Sequence, residues 1–211
     1  MRIILCAAAM CASLAAQPVF TDVFPPVEYA ARRARVMEKL GDGVAILQGT
    51  TERPGEQPLR QSNQFHYLCG VVEPRAILVI DGKSKRSTLF LNPRNERREQ
   101  SMFGPGLYPG DDAAKATGLD AVLPRDAFKA VLQALGEEGR TIYTPFRPEV
   151  LGSASSSDPA ALARATRNDP WDGRGSREEA FIGHLKEAAA RSEIRDLDPV
   201  LQAFERQVLV L

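Results

Sequence analysis

Two short runs of branched apolar residues, Val44-Ala45-Ile46-Leu47 and Ala76-Ile77-Leu78-Val79-Ile80, most constrain what this chain can fold into. Each is bounded by turn-forming residues: Gly41 and Gly43 before the first, Pro74 and Asp81-Gly82 around the second. Such runs read as buried strands. Ser87 to Leu91 is a further strand. It makes a hairpin with the second run, through a connection (Lys83-Ser84-Lys85) longer than a two-residue turn. Phe65 to Cys69, Ala121 to Leu123 and Thr141 to Tyr143 also read as strands.

Helical signals alternate with these runs. Pro25-Pro26 opens a helix, since proline is tolerated in a first turn. Ala30, Ala34, Met37 and Leu40 fall on one face of it, with Arg32, Arg33, Arg35 and Glu38 elsewhere, and Gly41 ends it. Arg94 to Gln100 is charged and reads as helical, with its arginines on a solvated face. Asp111-Asp112 is expected to cap a short helix through Lys115 that Gly118 stops, and Asp126 to cap a helix over Ala127 to Leu135. Ser176-Arg177-Glu178-Glu179 fits a capping box, opening a helix to about Arg191. Asp158-Pro159 and Asp198-Pro199 look like two more helix starts, and residues 151–157 like a mobile Ser-rich stretch. Strands interleaved with helices predict an α/β fold, a mixed β-sheet flanked by helices.

Residues 1–16 have the layout of a signal peptide: basic Arg2, an apolar stretch from Ile3 to Leu14, then Ala15-Ala16. The alternative is a buried N-terminal helix. Cleavage near Ala16 would leave Cys69 as the one thiol, so no internal disulfide could form and the core must hold the domain. The expected location is periplasmic or secreted. With 27 basic and 27 acidic residues the formal charge is zero, which argues against a nucleic-acid partner. No segment of the remaining chain suggests a membrane span.

Candidate chemistry is sparse. His184 and Glu187 could face one way on a helix, but a solvated face explains them, and Asp111-Asp112 are explained as caps. The glycines at 104, 106 and 110 lack phosphate-cradle spacing, and Ser153 and Ser176 sit in no nucleophile elbow. His66, between Phe65 and Tyr67, is the one histidine among aromatics, and reads either as a structural or surface residue or as a functional one. No catalytic or metal-ligating set emerges.

The stretch Arg60-Gln61-Ser62-Asn63-Gln64-Phe65-His66-Tyr67-Leu68-Cys69-Gly70-Val71-Val72-Glu73-Pro74 resembles the motif of the N-terminal domain of Xaa-Pro aminopeptidases, in the creatinase/prolidase superfamily. Ser87 to Arg94, Phe103-Gly104, Asp112 to Ala114, Gly118 to Asp120 and Glu193 to Pro199 continue the family's order. The resemblance implies a ribonuclease H-like domain over 25–206, after an extension at 17–24, with 207–211 the start of a truncated linker. It also implies that the chemistry lies in a missing C-terminal domain. There two Asp, one His and two Glu hold two metals, usually manganese, that activate water beside the bond before proline. None of those ligands is present here, so this chain itself carries no cofactor. The expected role is a lid and assembly element with a separate catalytic domain or a homo-oligomer as partner, and with proline-containing peptides as the complete enzyme's substrates. A stand-alone binding module is the alternative. His66 becomes a candidate for the substrate wall, expected to be partly exposed.

Overall fold

A computed structural model describes residues 24–51, 59–96, 106–147 and 176–208. Their elements are α1 (Pro26–Leu40), β1 (Val44–Gln48), α2 (Asn63–Cys69), β2 (Ile77–Asp81), β3 (Arg86–Leu91), α3 (Asp111–Thr117) and β4 (Ala121–Pro124). A 3₁₀ turn (Arg125–Ala127) leads into α4 (Phe128–Glu137), followed by β5 (Ile142–Thr144), α5 (Arg177–Ala188), β6 (Ile194–Asp196) and α6 (Asp198–Val208). The strands form one sheet in the order β4-β3-β2-β1-β5-β6. β1, β2 and β3 run antiparallel, pairing Gln48 with Ile77 and Ile77 with Phe90. β4, β5 and β6 join parallel to their inner neighbours, which makes the sheet mixed as expected.

The apolar runs are continuous because both sheet faces are covered, so neither set of alternate side chains meets water. Ala45, Leu47, Leu78, Ile80, Leu89 and Leu91 face one way, onto α1 and α2. Val44, Ile46, Ile77, Val79, Phe90 and Ile142 face the other, onto Leu132 and Leu135 of α4 and Phe181 and Leu185 of α5. Helices α4 and α5 touch so closely that a Cβ at Gly136 would lie 2.6 Å from the Ala189 Cα. The β2–β3 hairpin is present, and Asp81 organises its turn. One carboxylate oxygen accepts from the Lys83 and Ser84 amides at 2.9 and 3.3 Å, and the other accepts from the Ser84 hydroxyl at 2.8 Å.

Several local expectations need correction. Phe65 to Cys69 is helix, not strand. The Ser62 hydroxyl accepts from the Phe65 amide at 3.3 Å, and Gly70, at φ 70°, closes the helix by donating to the His66 carbonyl at 2.7 Å. A side chain at Gly70 would collide with the Tyr29 ring, so only glycine fits there. The buried face of α1 is Tyr29, Arg33, Val36, Met37 and Leu40, and Ala34 is exposed. Arg33 is on the apolar stripe, where its stem packs and its head finds three acceptors. Asp111 and Asp112 lie in the first turn of α3 but do not cap it; Gly110 holds that position. Asp126 sits in the 3₁₀ turn, and α4 starts without a side-chain cap. β6 was not foreseen. The capping box at Ser176 is present, with α5 ending at Ala188. Residues 1–23, 97–105 and 148–175, with the proposed leader, most of the Arg94–Gln100 helix, Ser153, the Ser-rich stretch and Asp158-Pro159, lie outside the described residues. Among the described residues no helix is long and apolar enough to cross a membrane.

Candidate functional site

A cavity of about 750 Å³ opens between α1, α2, the segment after β5 and the start of α6. Its floor is set by Gln61, which is buried and spends its amide on the backbone. Its oxygen accepts from the Thr50 and Ser62 amides at 2.7 and 3.0 Å, and its nitrogen donates to the Glu73 carbonyl at 3.1 Å. Glu73, also buried, accepts from the Leu107 amide at 2.7 Å. These bonds hold the approach to α2 rigidly, because each buried polar group would be costly to leave unpaired.

Helix α2 then presents Asn63, Gln64, His66 and Tyr67 to the groove, while Phe65, Leu68 and Cys69 enter the core. His66 is half-buried, and its ring makes no hydrogen bond among the described residues. Burial lowers its pKa, and the Arg32 cation lowers it further. The expectation of partial exposure therefore agrees with the structure. Beside it, the Arg32 guanidinium lies 4.5 Å from the ring centroids of both Phe24 and Tyr67 and 5.2 Å from that of Tyr29. The same group donates to the Glu28 carboxylate and to the Tyr67 carbonyl, both at 3.1 Å. Arg32 thus binds three rings and two oxygens into one stiff wall.

Asp198 closes the opposite side. The residue was expected only as a helix start, and it does open α6. Its carboxylate, however, points into the groove, where one oxygen accepts from Gln64 Nε2 at 2.7 Å and the other from Arg147 Nε at 2.6 Å. Asp196 supports it by accepting from the Asp198 and Phe146 amides at 3.1 and 3.3 Å.

The other candidate residues lie elsewhere. His184 Nδ1 is 3.7 Å from a Glu187 oxygen, and both side chains are largely exposed. Among the described residues no three His, Cys, Asp or Glu side chains converge, so they do not fit a two-metal set. Cys69 is buried, which pushes its thiol up to about 12, and it donates to the Phe65 carbonyl. Such a thiol is no nucleophile. Sequence reasoning missed Arg32, Gln64, Arg147 and the carboxylate role of Asp198. The only local hint was the place of Gln64 within the Arg60–Pro74 motif.

A family model for the aminopeptidase P N-terminal domain matches residues 29–143. Among curated proteins, the chain is 33% identical over 137 residues to Xaa-Pro aminopeptidase 3 of Mus musculus, covering 56% of this chain and 26% of that one. It is 34% identical over 117 residues to the Xaa-Pro aminopeptidase of Escherichia coli K12, covering 51% and 25%. It is 36% identical over 95 residues to a probable Xaa-Pro aminopeptidase of Coccidioides posadasii, covering 43% and 19%. The chain therefore spans about a quarter of these relatives or less. Of solved structures, a Bacillus anthracis protein assigned to aminopeptidase P superposes with a TM-score of 0.62 at 19% identity, over 84% of this chain and 39% of that one. The E. coli aminopeptidase P with the inhibitor Pro-Leu gives 0.54 at 20%, over 84% and 38%. At these identities the superpositions establish the fold.

Proposed function

We propose a function on one premise: the chain belongs to the aminopeptidase P N-terminal domain family. It serves as the non-catalytic lid and assembly domain of an exported Xaa-Pro metalloaminopeptidase, an enzyme that removes the residue ahead of proline. The groove beside α2 carries this reading, because seven of its fifteen lining residues, Arg60 to Val72, belong to the stretch that resembles the family motif. Its wall is rigid, aromatic and partly open, while among the described residues no three His, Cys, Asp or Glu side chains converge to hold a metal. A flat ring such as that of His66 or Tyr67 covers a proline by apolar contact. In this reading His66 forms part of the wall over the peptide, and a separate catalytic domain or a second copy of the enzyme supplies the reacting groups.

The two manganese ions of such an enzyme belong to that other domain, since the described residues here do not fit them. The basic, apolar and small-residue order of residues 1–16 supports export, with cleavage near Ala16. The test is release of the N-terminal residue from an Xaa-Pro peptide in the presence of manganese, with the purified chain alone and with the chain joined to a catalytic domain of the family. Turnover is expected from the joined form only. Turnover that tracks with the pure chain and vanishes in His184→Ala would refute the reading. For export, secreted material whose N-terminal sequence begins at Met1 would do the same.

A further inference from the structure

The groove is not only an aromatic wall. Arg60 is exposed on its rim, and its guanidinium has no hydrogen-bond or ion-pair partner among the described residues; only its carbonyl is used, by the Thr50 hydroxyl at 2.8 Å. Arg147 adds a second positive group, with a side chain that is two-thirds exposed. The one acid among the described lining residues, Asp198, is buried, and both of its oxygens are taken, by Gln64 and Arg147. Nothing acidic in the described lining is therefore left to satisfy Arg60. Asn63 and Gln202 add neutral amides. The aromatic part is also underused: Phe24 is 42% and Tyr67 37% exposed, although both are large apolar rings held in place by Arg32.

We propose that this groove binds a short peptide segment bearing a carboxylate, with the carboxylate on Arg60 and the apolar part of the segment against Tyr67 and Phe24. The volume falls within the roughly 300–1,000 Å³ of small-ligand sites. A planar guanidinium with free donors matches a carboxylate in a two-bond fork. In a chain of zero formal charge, Arg60 as the one unpartnered arginine of the described lining is too little for a nucleic-acid backbone, which is held by many cations at once. The carboxylate can come from an acidic side chain or from a peptide's C-terminus, and the chemistry is the same. The binding needs this chain only, so it succeeds or fails separately from any partnership with a catalytic domain.

The experiment measures fluorescence anisotropy of the full chain with three dye-labelled tetrapeptides built on Ala-Pro-Leu. One ends in Gln with an amidated terminus, one in Glu with an amidated terminus, and one in Gln with a free terminus. At about 50 mM salt, where screening is weak, at least one carboxylate peptide should bind about tenfold tighter than the neutral one. Preference for the Glu peptide assigns an acidic side chain, and preference for the free terminus assigns a chain end. Arg60→Ala should cut the advantage below twofold with an unchanged circular dichroism spectrum, because the side chain is exposed, while Arg60→Lys should keep part of it. Equal binding of all three peptides, no binding by any, or a preference that survives Arg60→Ala overturns the proposal.

Discussion

Replacing Arg33 should unfold much of what holds the groove in place. The residue is buried in the middle of α1, and its guanidinium donates to three separate parts of the fold. Nε reaches the Ser87 hydroxyl at 3.1 Å, Nη1 the Leu68 carbonyl at 3.0 Å, and Nη2 the Gly118 carbonyl. Ser87 links the group to Asp120, since its amide and hydroxyl both donate to the Asp120 carboxylate, at 2.7 and 3.0 Å. Burial lowers the Arg33 pKa, opposed by the Cys69 and Asp120 side chains. A hydrogen bond from a charged group is worth about 1.5–3 kcal/mol. Losing these bonds and leaving a cavity where the buried stem packed costs about 3–5 kcal/mol together. We expect Arg33→Ala to lose that amount, a large part of the roughly 5–15 kcal/mol of a typical domain. With a urea dependence of about 2 kcal/mol per molar, the unfolding midpoint should fall by roughly 1.5–2.5 M. Arg33→Met keeps most of the volume and should fall by about half as much. A midpoint for Arg33→Ala within about 0.3 M of the parent would show that these contacts carry no net stability and that the reasoning is wrong.

Cys69, pushed up to about 12 by burial, should resist Ellman's reagent at pH 8 in the native chain and react at once in urea. His66 should titrate below 6.5 when followed by NMR, since burial and Arg32 both disfavour its cation. A depressed histidine favours the folded state only while neutral, so its stability contribution is present above pH 6.5 and declines as pH falls below that value. A stability profile that improves on acidification in that range would contradict this sign. Gly136→Ala forces a Cβ to 2.6 Å from the Ala189 backbone, and thermal unfolding should report a loss of about 1–3 kcal/mol from overpacking.

The strands were legible where burial on both faces made the apolar runs continuous, as at Ile77 to Ile80. Helix α2 was misread because Phe65, Tyr67 and Cys69 favour a strand by composition. The decisive signals were single residues at its ends, the Ser62 cap and the left-handed Gly70. β6 escaped notice because Ile194-Arg195-Asp196 is a three-residue edge strand whose pairing depends on β5, not on its own pattern. Arg33 looked like a surface cation because its acceptors lie on Leu68, Ser87 and Gly118, 35 to 85 positions along the chain. No local periodicity encodes those partners. Asp198 was found as a helix start, but its use in the groove depends on Gln64, 134 positions away.

Arg60 and Gln61 separate structure from recognition within one motif. They are adjacent polar residues in the sequence, yet the fold spends them differently. Gln61 gives its whole side-chain amide to the backbone of Thr50, Ser62 and Glu73, where water cannot substitute. Arg60 gives its side chain to nothing described and leaves it at the rim. Gln61→Ala would strand the buried Thr50 amide, the half-buried Ser62 amide and the Glu73 carbonyl, a buried group being worth about 1–3 kcal/mol when unpaired. Partial solvation of the opened site brings the expected loss to about 2–4 kcal/mol in a urea titration. Arg60→Ala should stay within about 0.5 kcal/mol of the parent, as surface substitutions do. The two variants should therefore diverge in opposite assays, one losing stability and the other losing only carboxylate preference. Equal stability loss in both would mean that the Arg60 guanidinium has a structural partner and is not free for a ligand.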